Sequence, residues 1–346
     1  MNAMAAGVRA LDGHAFDVHT FDLDESGWPL RPTRSGPRPV PAAQLDAYFA
    51  QKLTPPPWAS DIVVYVHGWQ TSRDSALEAV RDLLGLVSRQ YDGRRDIYPR
   101  LDAPGRPFVP WPVLVRWPSR SLPSLGGYRR IRDRAHAMST GGGHAAGVIG
   151  QLLGYLDTRR ADPAAAPVLA NRGGQYLHLV GHSFGCRFLC EAVQWAANRR
   201  DGTTLGWSTP QPPGRPFTVD SMLLLQMASP RDAFASTFTA LAEAPLRGPV
   251  VATYSQHDRA TGFWHLRAEK RAGIGYAGIG TAPAPVSAIT MRGVEEPYPH
   301  DVLDHRFVSV DASEVYVRGS GPAGAHSDHL RPESAHLLLS LADHSR

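Results

Sequence analysis

Short, continuous runs of apolar residues recur from residue 61 onward, and longer segments of mixed character separate them. DIVVYVHGW at residues 61–69 is the clearest of these runs. A run of this length without alternation is typical of a parallel strand that is covered on both faces. The pattern predicts strands over residues 61–69, 112–119, 176–180, 221–228, 250–255 and 306–312.

The intervening segments carry apolar residues at helical spacing. Leu77, Val80 and Leu84 mark one face of a predicted helix. Ser75 and Glu78 have the spacing of a capping box at its start. Further helices are predicted over residues 144–160, after residue 185, near 233–242 and over 332–344. This alternation predicts an α/β fold with a mostly parallel central sheet, right-handed crossovers and helices on both faces.

The first part of the chain has a different pattern. Residues 15–30 alternate apolar and polar positions around a turn, which predicts an edge hairpin. A short helix is predicted over 42–53, and the prolines at 55–57 end it. We therefore expect residues 1–58 to form an N-terminal extension and residues 59–346 to form the α/β domain.

Two other stretches lack the periodicity of the core. Residues 207–216 are rich in proline, and residues 272–299 are rich in glycine and proline. Both are predicted to be surface loops. Loops at the carboxyl ends of the strands wall the substrate site in this architecture, so either stretch is a candidate lid.

Composition narrows the class of protein. With 42% hydrophobic and 20% charged residues, the 346-residue chain has the composition of an ordinary globular protein. Its net charge is +4, but the basic residues are scattered. The densest cluster, YRRIRDR at 128–134, is interpreted as a solvated helix face, and no nucleic-acid partner is expected.

Cysteine content and hydropathy bear on location. Cys186 and Cys190 cannot build a disulfide framework, which suits a reducing compartment. No apolar run approaches the ~20 residues that a membrane span needs. The first residues show no signal-peptide core. The sequence therefore predicts a cytoplasmic protein without integral membrane association.

GHSFG at residues 181–185 is the most informative motif. It follows a predicted strand and opens a predicted helix, which is the context of a nucleophile elbow. Gly181 and Gly185 lack a Cβ, so strand and helix can approach closely around Ser183. Ser183 is therefore the candidate nucleophile of a serine hydrolase.

A serine nucleophile needs a histidine base and a carboxylate that orients it. After this type of elbow the acid precedes the histidine in the chain. Asp258 follows the second strand beyond the elbow, and Asp232 follows the first. Asp258 is preferred as the acid because a turn after its strand would aim it at the site, and Asp232 is the alternative.

The loop after the last predicted strand contains GAHSDHL, with His326 and His329. His326 is preferred as the base because two small residues precede it, and His329 is the alternative. The backbone amide of Phe184, directly after the nucleophile, is expected to bind the oxyanion. The amide of Trp69, in the loop after the first core strand, is expected to be the second donor. His67 in that loop is interpreted as a brace.

Two other patterns would indicate a dinucleotide site or a zinc site. GIGYAG at 273–278 matches a dinucleotide fingerprint, but neither a strand nor a helix frames it. The histidines near the C-terminus lack the spacing of a zinc site. The sequence predicts no cofactor and no metal.

The chain resembles a bacterial α/β-hydrolase family of largely unknown function, marked by a VHG[YW] loop, a WPS strand end and an HSMG-type elbow. The matching segments are VYVHGWQTS (64–72), VRWPS (115–119), GHSFG (181–185), MASPRDAF (227–234), TYSQHDRA (253–260) and GAHSDH (324–329). Phe184 stands where the family usually has methionine. The resemblance implies an α/β-hydrolase fold and the triad Ser183, Asp258 and His326, and it implies no substrate.

These observations predict a serine hydrolase that cleaves small carboxylic esters through an acyl-enzyme, in the manner of a carboxylesterase or lipase. A thioesterase, an amidase or an acyltransferase would use the same triad. A non-catalytic binding protein on a hydrolase fold is the remaining alternative. The sequence does not indicate the acyl or alcohol portion of the substrate or the oligomeric state.

Overall fold

A computed structural model describes residues 16–101, 107–140, 142–160, 174–197, 218–244, 246–319 and 321–346. Within these residues, eight strands form one sheet in which every neighbouring pair is parallel. The strands of this sheet are β1 (His19–Asp22), β4 (Asp61–Val66), β5 (Pro110–Arg116), β6 (Tyr176–His182), β7 (Ser221–Leu225), β8 (Val250–Tyr254), β9 (Val286–Thr290) and β10 (Phe307–Asp311). Their order across the sheet is β1-β5-β4-β6-β7-β8-β10-β9. A separate two-stranded antiparallel ribbon joins β2 (Leu30–Arg31) and β3 (Arg38–Pro39).

Helices cover both faces of the sheet. In the described part of the chain they are α1 (Leu45–Lys52), α2 (Arg73–Gly93), α3 (Leu125–Ser139), α4 (Ala145–Arg160), α5 (Gly185–Ala197), α6 (Ala233–Ser236), α7 (His265–Glu269), α8 (Ile274–Ala277), α9 (His300–Leu303) and α10 (Pro332–His344). A π-helical turn over Ala260–Trp264 leads directly into α7. The predicted α/β class, with a parallel sheet between two helical layers, is confirmed.

The side chains of β4 show how one strand serves two cores. All six residues of this strand are buried. Ile62 and Val64 face the core formed with α1, α3, α4 and α5. Val63 and Tyr65 face the opposite core, formed with α2 and α10. Because successive side chains of a strand point to opposite faces, a strand between two helical layers buries both sets of side chains, which explains the continuous apolar run after Asp61.

The six strands predicted from apolar runs are all present. Several predicted strands extend too far at their carboxyl ends. His67 and Gly68, for example, were included in the first strand but belong to the loop after β4. Two strands of the sheet differ from the sequence predictions. Val286–Thr290, in the stretch predicted to be a surface loop, forms the edge strand β9 beside β10. Its side chains are half-buried or exposed, so its sequence lacks a continuous apolar run.

The N-terminal segment also differs from the prediction of an edge hairpin. β1 pairs in parallel with β5 and closes one side of the main sheet. After the turn that follows it, only an isolated antiparallel bridge links Leu23 to Pro29. The chain then leaves the sheet and forms the β2–β3 ribbon. Beside this ribbon, the Val40 amide donates a hydrogen bond to the Pro29 carbonyl oxygen at 2.7 Å.

The start of α2 lies earlier than its predicted capping box. Ser72 is the N-cap, and its side-chain oxygen accepts a hydrogen bond from the Ser75 amide at 3.0 Å. Ser75 therefore lies inside the first turn and does not cap it.

The order of the strands locates the candidate site. From β4 the chain crosses to β5 on one side, and from β6 it crosses to β7 on the other. β4 and β6 are neighbours, so the loops at their carboxyl ends diverge and leave a crevice between them. The loop with His67 and the elbow with Ser183 border this crevice.

Candidate active site

Ser183 lies on the tight turn between β6 and α5. Its φ of 55° is in the left-handed region, which L-residues other than Asn and Asp adopt rarely. Gly185 permits the turn, because a Cβ there would lie 2.1 Å from the carbonyl oxygen of Val66 in β4. The elbow predicted from GHSFG is therefore present at the carboxyl end of a central strand, as the predicted α/β-hydrolase fold requires.

Three residues that are distant in sequence meet at this turn. The Ser183 Oγ lies 2.7 Å from the His326 Nε2. The His326 Nδ1 lies 2.8 Å from the Asp258 Oδ2. Because an ionised carboxylate can only accept hydrogen bonds, the His326 imidazole donates from Nδ1. Its Nε2 then accepts a hydrogen bond from the Ser183 hydroxyl. The preferred nucleophile, base and acid are thus hydrogen-bonded in one line.

Asp258 is fully buried, and two further donors hold its carboxylate. The Thr261 amide donates to Oδ1 at 3.0 Å. The Gln226 side-chain amide donates to Oδ2 at 3.2 Å and to the Ala325 carbonyl oxygen at 3.0 Å. Sequence reasoning missed Gln226, and its only signal was a position directly after a strand that neighbours the elbow strand.

The loop that carries His326 is paired with the loop that carries the acid. The Ala325 amide donates to the His257 carbonyl oxygen at 3.0 Å, and the Arg259 amide donates to the Ala323 carbonyl oxygen at 3.1 Å. Gly324 lies between these bonds with a φ of 60°, and a Cβ there would lie 2.4 Å from the His257 carbonyl oxygen. Backbone hydrogen bonding between the two loops therefore sets the distance between acid and base.

The alternative acid and base lie elsewhere. Asp232 pairs with Arg271 near the surface, where the Asp232 side chain is half-buried and the Arg271 side chain is exposed. His329 is buried, and its Nε2 lies 3.5 Å from the Tyr65 hydroxyl. Within the described residues, neither the Asp232 side chain nor the His329 side chain is hydrogen-bonded to the Ser183 hydroxyl or to the His326 imidazole.

His182, the residue before the nucleophile, was also missed by sequence reasoning. Its Nε2 donates to the His326 carbonyl oxygen at 2.8 Å, and its ring stacks on the His329 ring at a centroid distance of 3.9 Å. Burial, with the neighbouring histidines, lowers the pKa of His182 well below its usual value. His182 is therefore a neutral imidazole that holds the backbone of His326.

The loop after β4 runs directly against the nucleophile. A Cβ on Gly68 would lie 2.7 Å from the Ser183 Cβ, so only glycine allows this approach. In the part of the chain that the structure describes, the amides of Trp69 and Phe184 have no protein acceptor. The Ser183 amide is already engaged, since it donates to the Leu225 carbonyl oxygen at 3.0 Å. Trp69 and Phe184 thus keep the two free donors that sequence reasoning assigned to an oxyanion.

The segment after β5 fixes this loop in place. The Trp117 amide donates to the His67 Nε2 at 3.2 Å, and the Trp117 indole donates to the His67 carbonyl oxygen at 2.7 Å. The Trp69 indole donates to the Ser121 hydroxyl at 2.7 Å, and the Ser119 hydroxyl donates to the Thr71 carbonyl oxygen. These bonds explain the WPS segment as a support for the loop that carries the Trp69 amide.

His67 is confirmed as a brace. Its Nε2 accepts from Trp117, so its Nδ1 carries the proton and donates to the Gly68 carbonyl oxygen at 3.0 Å. Burial lowers the pKa of His67 to about 4. The imidazole is therefore neutral near pH 7, and both of its ring nitrogens are engaged in hydrogen bonds with the backbone.

A cavity of about 300 Å³ opens beside His326. The loop after β4, the first turns of α2, the Trp264 indole and the loop around His326 form its walls. No residue of the candidate lid 272–299 lines this cavity. The other candidate lid, 207–216, lies outside the described residues.

Other kinds of site were sought in the same residues. The described residues contain no cluster of three or more His, Cys, Asp or Glu side chains that could hold a metal ion. No described helix combines the length and the apolar character needed to cross a bilayer.

Comparisons with known proteins give the following findings. No protein-family model matches the chain, and no curated protein matches it. Among solved structures, the chain is similar to TT1662 from Thermus thermophilus, with a TM-score of 0.37, 12% identity, and 83% of this chain and 89% of that chain covered. It is also similar to the esterase PE8, with a TM-score of 0.27, 14% identity, and 58% of this chain and 70% of that chain covered.

Proposed function

We propose that the protein is a serine hydrolase that cleaves small carboxylic esters through an acyl-enzyme. The observation that carries this proposal is the hydrogen-bonded line from Ser183 Oγ through His326 to Asp258, at 2.7 and 2.8 Å. A serine hydroxyl is a weak nucleophile until an imidazole takes its proton, and this line supplies that base in the required tautomer.

In the first half-reaction, the Ser183 oxygen attacks the ester carbonyl while His326 takes the hydroxyl proton. Asp258 stabilises the imidazolium that forms, and the amides of Trp69 and Phe184 bind the oxyanion of the tetrahedral intermediate. His326 then gives the proton to the departing alcohol oxygen, which leaves the acyl group on Ser183. In the second half-reaction, His326 takes a proton from water while the water oxygen attacks the acyl carbon. His326 then gives this proton to the Ser183 oxygen as the bond between Ser183 and the acyl group breaks and the acid is released.

The architecture supports a catalytic role over a binding role. The left-handed backbone at Ser183 is sparsely populated for serine, and strained conformations of this kind cluster at functional sites. Two backbone amides beside the nucleophile have no acceptor among the described residues. A binding protein would have no need for a base, an orienting acid and free amide donors around one hydroxyl.

The test is covalent labelling with a fluorophosphonate probe together with hydrolysis of p-nitrophenyl acetate. The native protein should react with the probe and turn over the ester, and Ser183→Ala should do neither. Ser236→Ala, which changes an exposed serine at the end of α6, is the matched control and should behave as the native protein. Ester turnover that persists in Ser183→Ala, or a native protein that is not labelled, refutes the proposal. Parallel assays with thioesters and amides show which leaving groups the enzyme accepts.

A further inference from the structure

The 300 Å³ cavity lies on the imidazole side of the nucleophile. His326 lines it, as do Ala323 and Ser327 on either side of that histidine. Trp69 lines the cavity, whereas Phe184, at the start of the elbow helix, does not. The proton that His326 takes from the serine passes to the leaving group, so the leaving group must lie against this imidazole. The cavity is therefore placed to hold the alcohol portion of an ester.

No Asp, Glu, Lys or Arg side chain lines the cavity. Its residues are Tyr65, His67, Trp69, Gln70, Thr71, Ser75, Ala79, Pro123, His182, Trp264, Pro322, Ala323, His326, Ser327, His329 and Leu330. Burial lowers the pKa of His67 to about 4 and that of His329 to about 3, so these two imidazoles are neutral near pH 7. Some polar groups are already engaged: the Gln70 amide donates to the Ser121 carbonyl oxygen, and the Trp264 indole donates to the Pro322 carbonyl oxygen at 3.0 Å. A permanently ionised group placed here would lose hydration and would meet no carboxylate, ammonium or guanidinium group in the lining.

Trp264 forms one wall of the cavity, and it belongs to a turn that is hydrogen-bonded to Asp258. The residue ends the π-helical turn Ala260–Trp264, whose Thr261 amide donates to Asp258. Its indole bond to Pro322 ties this turn to the loop that precedes His326. π-Helical turns occur often at functional sites, and this one joins orientation of the acid to a wall of the cavity.

We propose that this cavity binds the leaving alcohol of the substrate, that the alcohol is uncharged, and that Trp264 limits its size. The proposal rests on the hydrolase function proposed above. A volume of about 300 Å³ holds on the order of ten water-sized groups, since a water occupies about 30 Å³ in the liquid. The substrate class is thus an ester of a compact, neutral, apolar or aromatic alcohol.

The charge requirement is tested with two aryl acetates of similar shape, para-acetoxybenzoate and its methyl ester. After correction for their uncatalysed hydrolysis rates, kcat/KM for the anionic ester should be lower by about 100-fold, because the carboxylate would be desolvated without a partner. Equal values of kcat/KM for the two esters overturn the inference.

The size limit is tested with benzyl acetate and biphenylmethyl acetate. The native enzyme should prefer benzyl acetate by about tenfold or more, and Trp264→Ala should remove most of this preference by opening the wall. If Trp264→Ala does not fold, Trp264→Phe serves as the second variant. It keeps an aromatic wall and should therefore keep the preference for benzyl acetate. Leu266→Ala is the matched control, since Leu266 is also an apolar residue just after the turn, is 48% exposed and does not line the cavity.

The outcomes separate the inference from the function on which it rests. If the native protein is not labelled at Ser183 and hydrolyses none of the esters, the hydrolase function is refuted. An enzyme that is labelled and active, but whose preference is unchanged by Trp264→Ala or equally changed by Leu266→Ala, refutes the inference alone. An enzyme that is labelled but hydrolyses neither benzyl acetate nor the methyl ester also overturns it.

Discussion

Gln226 donates a hydrogen bond to the Asp258 carboxylate from the same amide nitrogen that binds the Ala325 carbonyl oxygen. Gln226 itself has a left-handed backbone, with a φ of 48°, directly after β7. Its side chain is buried with both acceptors. One amide group thus fixes the acid and the backbone that precedes the base, which makes Gln226 a positioning residue for the triad.

Replacing this amide should slow catalysis without abolishing substrate binding. Gln226→Met keeps the length of the side chain but removes the donor, so Asp258 loses one hydrogen bond and the His326 loop loses its anchor. A hydrogen bond to a charged group contributes about 1.5–3 kcal/mol, so kcat should fall by about 10- to 100-fold with KM nearly unchanged. Steady-state kinetics measures both constants.

Gln226→Glu gives a sharper version of this test. A glutamate has the same shape, but it cannot donate when ionised, and it places a second carboxyl group against Asp258. Its kcat should fall further than that of Gln226→Met at pH 8 and recover partly as the pH falls and the new carboxyl group is protonated. A variant whose pH profile matches that of the native enzyme would show that Gln226 only fills space.

Gly324 should tolerate no side chain. In Gly324→Ala, the new Cβ would lie 2.4 Å from the His257 carbonyl oxygen and would push the two paired loops apart. We expect a loss of about 1–3 kcal/mol in the free energy of unfolding and a fall in kcat, because His326 moves away from Ser183. Thermal unfolding and ester hydrolysis measure the two effects.

The matched control for this variant is Gly321→Ala. Gly321 also has a positive φ, of 84°, but a Cβ there would meet nothing within 4 Å. This substitution strains the backbone without a clash, so it should change stability slightly and leave kcat intact. Similar losses of kcat in the two variants would contradict the role of loop pairing at Gly324.

Stability should fall with acidity because several histidines are buried in the neutral form. Burial lowers the pKa of His67 to about 4 and that of His329 to about 3. In the unfolded chain both titrate near pH 6.5, so below that pH the unfolded state binds more protons than the folded state. The stability that these residues confer is present above pH 6.5 and is lost as the pH falls toward the folded pKa values.

His329→Phe isolates one of these contributions. Each such histidine should lower the free energy of unfolding by about 2 kcal/mol between pH 7 and pH 5. His329→Phe keeps a ring to stack on His182 and removes one titrating group, so its stability should depend less steeply on pH in this range. Denaturant unfolding at several pH values measures the slope, and an unchanged slope would contradict a neutral buried His329.

Local patterns predicted the elements that are buried on both faces or bounded by strong signals. The continuous apolar run at 61–69 indicated β4, and GHSFG indicated the turn at Ser183. β9 escaped prediction because a half-exposed edge strand needs no continuous apolar run. The start of α2 was misplaced by three residues, since Ser72 and Ser75 are both acceptable caps and only the backbone decides between them.

The sequence by itself determined the parallel α/β sheet, the elbow and a short list of partners for Ser183, because periodicity and turn chemistry are local properties of the chain. Only the tertiary structure decided that His326 and not His329 lies against Ser183, and that Gln226 and His182 support the triad. These contacts join residues from separate crossovers of the sheet. Their distances depend on how the loops after β7, β8 and β10 pack together at the carboxyl edge, and no local pattern records that packing.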